Sequence, residues 1–426
     1  MSLKPSERKT PRFTLAERGG AALITVVAIL LIAGGIYWKT GRMSAIGTLI
    51  LAGYWTYRFR GAHLSKRVSI HPAKAWAIRL IALVLGLIVC GLAAFLLIEK
   101  LQQKPEKIGD FYYAFIKGSF GTERKVWKFL KNLAILLGIS LALTPAFRMR
   151  FWNTGAEGQT LVGVLGAIAV DFYLGKTAPE WLLLILMLLA ALLCGAVWGV
   201  IPALFKALFN TNETLFTLMM NYVASFLVAY FLVIWVPNGS SSLPKLKTGK
   251  LPAVGGNDYL LIILVVLALT IALYVYLNYS KHGYEISVVG ESERTARYVG
   301  IEVKKVIIRT MILSGLLCGL VGYLIAAGLD QTVTTESVGG QGFTAIMVSW
   351  LAKFNPITMI LTSGLIQLLN QGAAQISQDF NVSGALPEVI CGLMLFCIIG
   401  SEFFINYELH FRGHAHRGKA EKEGAK

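Results

Sequence analysis

Apolar runs of roughly 20 residues recur along this chain, and short intervals between them collect most of the charge. A helix needs about 20 such residues to cross the hydrocarbon core of a bilayer. Inside that core each backbone amide must be satisfied within the protein, so repeated runs of this length dictate spanning helices. From Trp76 onward there are ten crossings or near-crossings: Trp76–Ile98, Trp127–Phe147, Gln159–Gly175, Trp181–Phe205, Thr214–Val236, Asp258–Tyr279, Val306–Gly328, Gly342–Lys353, Pro356–Ile376 and Ala385–Phe404. Gly20–Trp38 and Ala45–Tyr57 precede them as a helical hairpin whose second member is short. The sequence therefore predicts an all-α, polytopic transmembrane bundle, with an extra N-terminal hairpin and no soluble domain left over.

Composition agrees. Of 426 residues, 55% are hydrophobic and only 15% charged, a balance foreign to soluble domains. The net charge of +17 comes from 40 basic and 23 acidic residues. Because the basic residues lie between and beside apolar runs, they read as topology signals and not as a nucleic-acid surface. Arg58, Arg60, Lys66, Arg67, Lys74 and Arg79 fall in one stretch without a carboxylate, which places that stretch in the cytoplasm. The tail with Arg412, Arg417, Lys419 and Lys422 points the same way, so both termini are expected inside. One interval resists. Lys100–Lys131 holds eight basic residues yet falls outside in this count. Either a re-entrant piece, with Phe111–Phe120 the candidate, or a different early topology resolves it. Residues 1–75 read as a basic leader, hairpin and cytoplasmic loop, 76–405 as the membrane domain, and 406–426 as a basic tail. No cleavable signal is expected, because the apolar run after Arg18 meets no small-residue cleavage site leading into a polar domain.

Motifs for catalysis are missing. Gly175-Lys176-Thr177 looks like the end of a phosphate-binding loop, but Val170 stands where its first glycine belongs. There is no metalloprotease or nucleophile-elbow pattern. Cys90, Cys194, Cys318, Cys391 and Cys397 all sit inside apolar runs, without zinc or disulfide spacing. No catalytic residue, cofactor or metal is expected, and the chain should not be an enzyme.

The most informative interval is Lys281–Lys305, a charged stretch between two spanning runs. Ser292 can cap a helix with Glu293 in its first turn, and Gly300 suits its end. That gives a short helix over Glu293–Val299, with Ala296 and Val299 on one side and Arg294 and Arg297 on another. A capped amphipathic helix on a membrane face is shaped to dock into another protein, although an ordinary solvated loop is the plainer alternative.

Here the sequence reads His282-Gly283-Tyr284-Glu285, then Val289-Gly290, then Ala296-Arg297-Tyr298-Val299-Gly300-Ile301. This resembles the coupling loop of permease subunits from ABC importers for simple sugars, nucleosides and branched-chain amino acids. The resemblance implies that Glu293, Arg294, Ala296, Arg297, Tyr298 and Gly300 engage a separate ATPase subunit. It further implies a second homologous permease, an extracytoplasmic solute-binding lipoprotein, a small polar solute and residence in the cell membrane.

Two further segments carry the likeness. Phe151-Trp152-Asn153-Thr154-Gly155-Ala156-Glu157-Gly158-Gln159 interrupts an apolar region with glycines and polar side chains. Polar, broken backbone is tolerated at membrane depth only where protein or a watery cavity surrounds it. Asn153, Glu157 and Gln159 are therefore candidate pathway residues, the alternative being a solvated cytoplasmic turn. The stretch is similar to the signature of the family's nucleoside and sugar branch, with Thr154 in place of an aliphatic residue. Asn212-Glu213-Thr214 with Asn221-Tyr222 also resembles a family segment. There Asn212 or Thr211 can cap a helix, and Asn221 either bonds a neighbouring helix or lines a path. Later, Gln367, Asn370, Gln371 and Gln378 fall on one helical face with Gln375 near it, and neutral amides of this kind suit hydroxyl-rich or nucleobase solutes. The resemblance spans Trp76–Phe404 and favours nucleosides, with simple sugars and riboflavin-like molecules behind. A self-contained secondary transporter is the rival class, with Asp171 its plainest deep ionisable group.

Overall fold

The protein's structure is a computed structural model that describes residues 46, 50, 51, 53, 62–66, 72–97, 108–236, 242–381 and 385–411. Apart from four positions, the expected N-terminal hairpin lies outside the described residues, as does the basic tail. In chain order the elements are β1 (Ala62–Lys66), α1 (Pro72–Leu97), α2 (Ile108–Phe120), α3 (Glu123–Arg148), α4 (Ala156–Leu174), α5 (Glu180–Phe209), α6 (Glu213–Trp235) and α7 (Leu260–Tyr279). They continue with α8 (Lys281–Glu291), α9 (Glu293–Tyr298), α10 (Val303–Ile325), α11 (Gln341–Leu351), α12 (Pro356–Phe380), α13 (Ala385–Asn406) and β2 (Tyr407–Phe411).

The expected helical bundle is present. Seven helices among the described residues are long and apolar enough to cross a membrane, within α1, α3, α5, α6, α7, α10 and α13. α4 and α12, with 19 and 25 residues, have the expected length but carry more polar side chains. α4 tolerates them because α5, α6 and α10 enclose it. α11 begins one residue before the expected segment Gly342–Lys353 and ends two residues before its end. Its 11 residues rise only about 16 Å, too little to cross, so it is a half-helix. Before it, α10 gives way to a π-helical turn at Ala326–Asp330, and the chain runs without helix to Gly340.

The chain divides into two compact units, 1–87 with 395–426, and 88–394. In the first, β1 pairs antiparallel with β2, Leu64 opposite Leu409, and Arg79 Nη2 donates to Glu402 Oε1 at 2.6 Å. This strand pair was not legible in the alternation of its residues.

In the second unit α10 is the central element, packed against α3, α4 and α5. Its small residues explain the closeness. A Cβ on Gly195 of α5 would lie 2.8 Å from the Cα of Gly319, one on Gly163 of α4 would also lie 2.8 Å from it, and one on Gly199 would lie 2.8 Å from Met311 O. Backbones therefore meet with nothing between them, the arrangement that small-residue spacing allows in membranes, where dispersion and not hydrophobic exclusion holds helices together.

α2 addresses the basic interval that resisted a topology. Its 13 residues rise about 20 Å, and it lies against α12 and does not cross. Phe111 is fully buried, edge-on to Phe115 at 5.8 Å and 6.5 Å from Phe380. Lys117 pairs with Asp379 at 3.1 Å, and Lys125 Nζ donates to Gln375 Oε1 at 2.7 Å. Two of the interval's cations thus answer polar groups on α12.

Candidate functional site

The charged interval folds as local signals dictate. Ser280 opens α8 by accepting from Gly283 N at 3.0 Å, and Ser292 opens α9 by accepting from Thr295 N at 3.3 Å. At the far end Gly300 N donates to Arg297 O at 3.1 Å and Ile301 N to Ala296 O at 2.9 Å. That pair of bonds needs a left-handed residue between them, and Gly300 supplies it at φ +80°. Six residues could not hold a helix alone, so α9 depends on its caps and on α8 and α10 behind it.

Its two faces are unlike. Ala296 is 0% exposed, turned into the chain, whereas Tyr298 is 93% and Val299 63% exposed. Glu293, Arg294 and Arg297 are also exposed, with Arg297 Nη2 3.6 Å from Glu293 Oε2. The exposed side therefore consists of Tyr298, Val299 and the arginines, and Ala296 is buried beneath it. α8 is braced in turn. Arg309 Nη2 of α10 donates to Glu285 Oε2 at 2.7 Å. This bond from Arg309 holds the Glu285 carboxyl below the usual carboxylate range against the opposing effect of burial, with the charges of Arg309 and His282 assisting.

α8 also abuts the polar break. A Cβ on Gly290 would overlap the carbonyl oxygen of Arg148 and lie 3.1 Å from its carbon. Arg148, the last residue of α3, donates through both terminal nitrogens to Asn278 Oδ1 at 3.2 Å. The chain then turns through Arg150 at φ +60°, a conformation costing a non-glycine residue about 1 kcal/mol.

The turn leads to Asn153, fully buried, and Gln159, 1% exposed. Asn153 Oδ1 accepts from Gly155 N at 3.0 Å, while its Nδ2 donates to Gln159 Oε1 and to Ser314 Oγ of α10, both at 3.3 Å. Asn221 on α6 does similar work from the other side, accepting from Gly158 N and donating to Thr154 O, each at 2.9 Å. Thr217 Oγ1 accepts from Thr154 N at 3.1 Å. An unmade bond of this kind costs about 1–3 kcal/mol when buried, and here side chains supply the partners. Thr214, Thr217 and Asn221 share one face of α6, a spacing that could have identified Thr217 from the sequence.

Glu157 closes the site. Its Oε1 accepts from Gly340 N at 2.8 Å and its Oε2 from Gly342 N at 2.6 Å. The carboxylate thus caps the amino end of the half-helix α11, where unpaired amides and the helix dipole favour negative charge. Trp152 and Trp350 stand at the opposite end of α11, centroids 5.0 Å apart and both partly exposed, with Phe147 and Phe354 against them. The sequence reading missed this cluster, which only the tertiary fold assembles.

The late amides do not share one environment. Gln367 and Gln375 are buried, Asn370 and Gln378 exposed, and Gln371 lies between. Gln375 Nε2 donates to Asp379 Oδ1 at 2.7 Å, while the buried amide of Gln371 meets no protein partner. Asp171 accepts from Thr248 Oγ1 at 2.6 Å. Among the described residues no group of three His, Cys, Asp or Glu side chains could hold a metal ion.

The family model described as branched-chain amino acid transport system / permease component matches residues 127–399. The guanosine ABC transporter permease protein NupP of Bacillus subtilis is 27% identical over 351 residues, covering 79% of this chain and 96% of that protein. The glucose ABC transporter permease protein TsgB13 of Haloferax volcanii is 30% identical over 292 residues, covering 65% and 75%. The nucleoside ABC transporter permease protein NupB of Lactococcus lactis is 26% identical over 289 residues, covering 64% and 77%.

Proposed function

This chain belongs to the permease-component family of the branched-chain amino acid transport system, and we propose that it forms the translocation path of an ATP-driven importer for a small polar solute, a nucleoside in the first place. Its partners are an ABC ATPase seated on α8–α9, a second homologous permease and an extracytoplasmic solute-binding lipoprotein. Both termini are cytoplasmic, on the same side as α9. The observation that carries this reading is the form of α9, capped at both ends, braced from behind and exposing Tyr298, Val299, Arg294 and Arg297 together.

For the solute, two of the relatives above are named for nucleosides and one for glucose, at similar identity. The pathway candidates Asn153, Gln159, Asn221, Gln367, Asn370 and Gln371 are neutral amides, which hydrogen-bond hydroxyls and bases without demanding a counter-charge. Sugar import is the second reading, favoured by the 30% identity to the glucose relative.

The test is uptake of labelled guanosine, uridine, glucose and riboflavin by the chain reconstituted with its ATPase, second permease and binding protein. ATP-dependent accumulation of a nucleoside is the expected result, whereas accumulation driven by an ion gradient without ATP would make the chain a secondary transporter. The purified chain alone is expected to hydrolyse no ATP, and turnover in a preparation free of other subunits would overturn the reading.

Glu157→Gln keeps one amide acceptor but loses the charge at the α11 terminus. The expected cost is about 0.5–2 kcal/mol of local stability, with nucleoside uptake lowered by about twofold to 30-fold at that cost and ATPase recovery unchanged. Wild-type uptake would remove Glu157 from the pathway.

A further inference from the structure

Docking at α9 would be useless if the helix moved by itself. The link from α9 to α10 is only Val299–Glu302 and contains Gly300 at φ +80°, so covalent continuity alone makes a compliant hinge. Two non-covalent ties bypass it. One is the bond from Arg309 of α10 to Glu285 of α8 at 2.7 Å, with side chains 35% and 17% exposed. Glu285 is also 3.7 Å from His282 Nδ1. The other is the backbone contact between Gly290 of α8 and Arg148 at the end of α3. Both ties lead to the same residue. Ser314 follows Arg309 by five positions, about 7.5 Å along α10, and meets Asn153. Asn153 follows Arg148 by the same number of positions.

We propose that the Arg309–Glu285 ion pair is a positioning strut that makes α8, α9 and α10 one rigid piece, so that displacement of α9 reaches Asn153 and the Glu157-capped end of α11. This rests on the reading of the chain as a permease coupled through residues 281–305. A partly buried pair suits the role. A fully exposed pair would hold two long side chains too loosely to fix a geometry. One that neutralised easily would release the brace, and the depressed ionisation range of Glu285 keeps the carboxylate charged. Mechanical intermediacy alone is not coupling, so the claim requires that two sites bias one element.

Phe343 on α11, exposed and outside the contacts above, provides the reporter as Phe343→Cys. Its maleimide labelling rate is measured in the complex with ATPase and second permease, without nucleotide and trapped with ATP and vanadate. The otherwise unaltered chain is expected to change rate at least about fivefold on trapping. Glu285→Gln and Arg309→Gln should each reduce that change below about twofold while recovering the same amount of ATPase. The exchange Glu285→Arg with Arg309→Glu should restore at least about half of it, which a purely structural loss would not allow. Neutral variants that keep the full change, an exchange no better than the single variants, or no change in the parent complex would each overturn the strut. Loss of ATPase from the single variants would assign the pair to docking and overturn it too. A parent chain that binds no ATPase at all would instead overturn the permease reading beneath it.

Discussion

Gly319→Leu is expected to leave almost no folded protein. A Cβ at this position would overlap the carbonyl oxygen of Ala191 and lie 2.9 Å from its carbon and 3.1 Å from the Cα of Leu192. All three obstacles are backbone, which no rotamer change can move aside. The remaining way out is separation of α10 from α5, and α4 would then lose its contact at Gly163. Overpacking a core ordinarily costs about 1–3 kcal/mol and occasionally more. Here the seam between central helices would open along its length, so a loss of about 3 kcal/mol or more is expected. The measurement is the yield of monodisperse chain in detergent together with its thermal transition. Gly392→Ala is the control, because nothing lies within 4 Å of a Cβ there, and adding a methyl inside a helix stabilises by about 0.5–1 kcal/mol. A Gly319→Leu chain with normal yield and transition would show that the helices are not in backbone contact.

Ala296→Asp should abolish ATPase recovery and leave the bundle standing. The side chain is completely enclosed, and an unpaired charge in such a place costs several kcal/mol. α9 has six residues and no independent stability, so it should lift away from α8 and α10. Because α9 is peripheral to the seam, the thermal transition should change little. Tyr298→Ala tests the opposite face. At 93% exposure its loss should alter stability by no more than about 0.5 kcal/mol, yet an aromatic anchor buried on docking is worth about 2 kcal/mol or more, roughly 30-fold in ATPase affinity. Normal recovery with Ala296→Asp would dismiss residues 281–305 as the docking element. Loss with Ala296→Asp alone would make α9 a structural support and not a contact.

Where signals were local, the sequence was enough. Ser292, Glu293 and Gly300 act within one or two helical turns, so the span and ends of α9 follow from caps and a glycine. The break at Asn153–Gln159 was legible for a similar reason, because glycines and amides cannot continue a lipid-facing helix. Its partners were not. Glu157 meets Gly340 and Gly342, 183 and 185 positions away, and Asn221 meets Gly158 across 63. Periodicity placed Ala296 and Val299 on one side of α9, but α8 and α10 decide which is covered, and only Ala296 is. The late amides show the same limit. Helical spacing groups Gln367 with Asn370 and Gln378, while neighbouring helices bury the first and leave the others exposed.

The glycine seam also has a genetic consequence. Gly195 and Gly163 both face the Cα of Gly319, and Gly319 itself faces the backbone of Ala191 and Leu192. A bulky substitution in an ordinary core can be relieved by trimming the residue it strikes. Here a Cβ at 319 strikes the backbone of Ala191 and Leu192, which no change of side chain removes, so second-site suppressors of Gly319→Leu should not arise at the facing positions. In a selection for restored transport, revertants should return to a small residue at 319 itself.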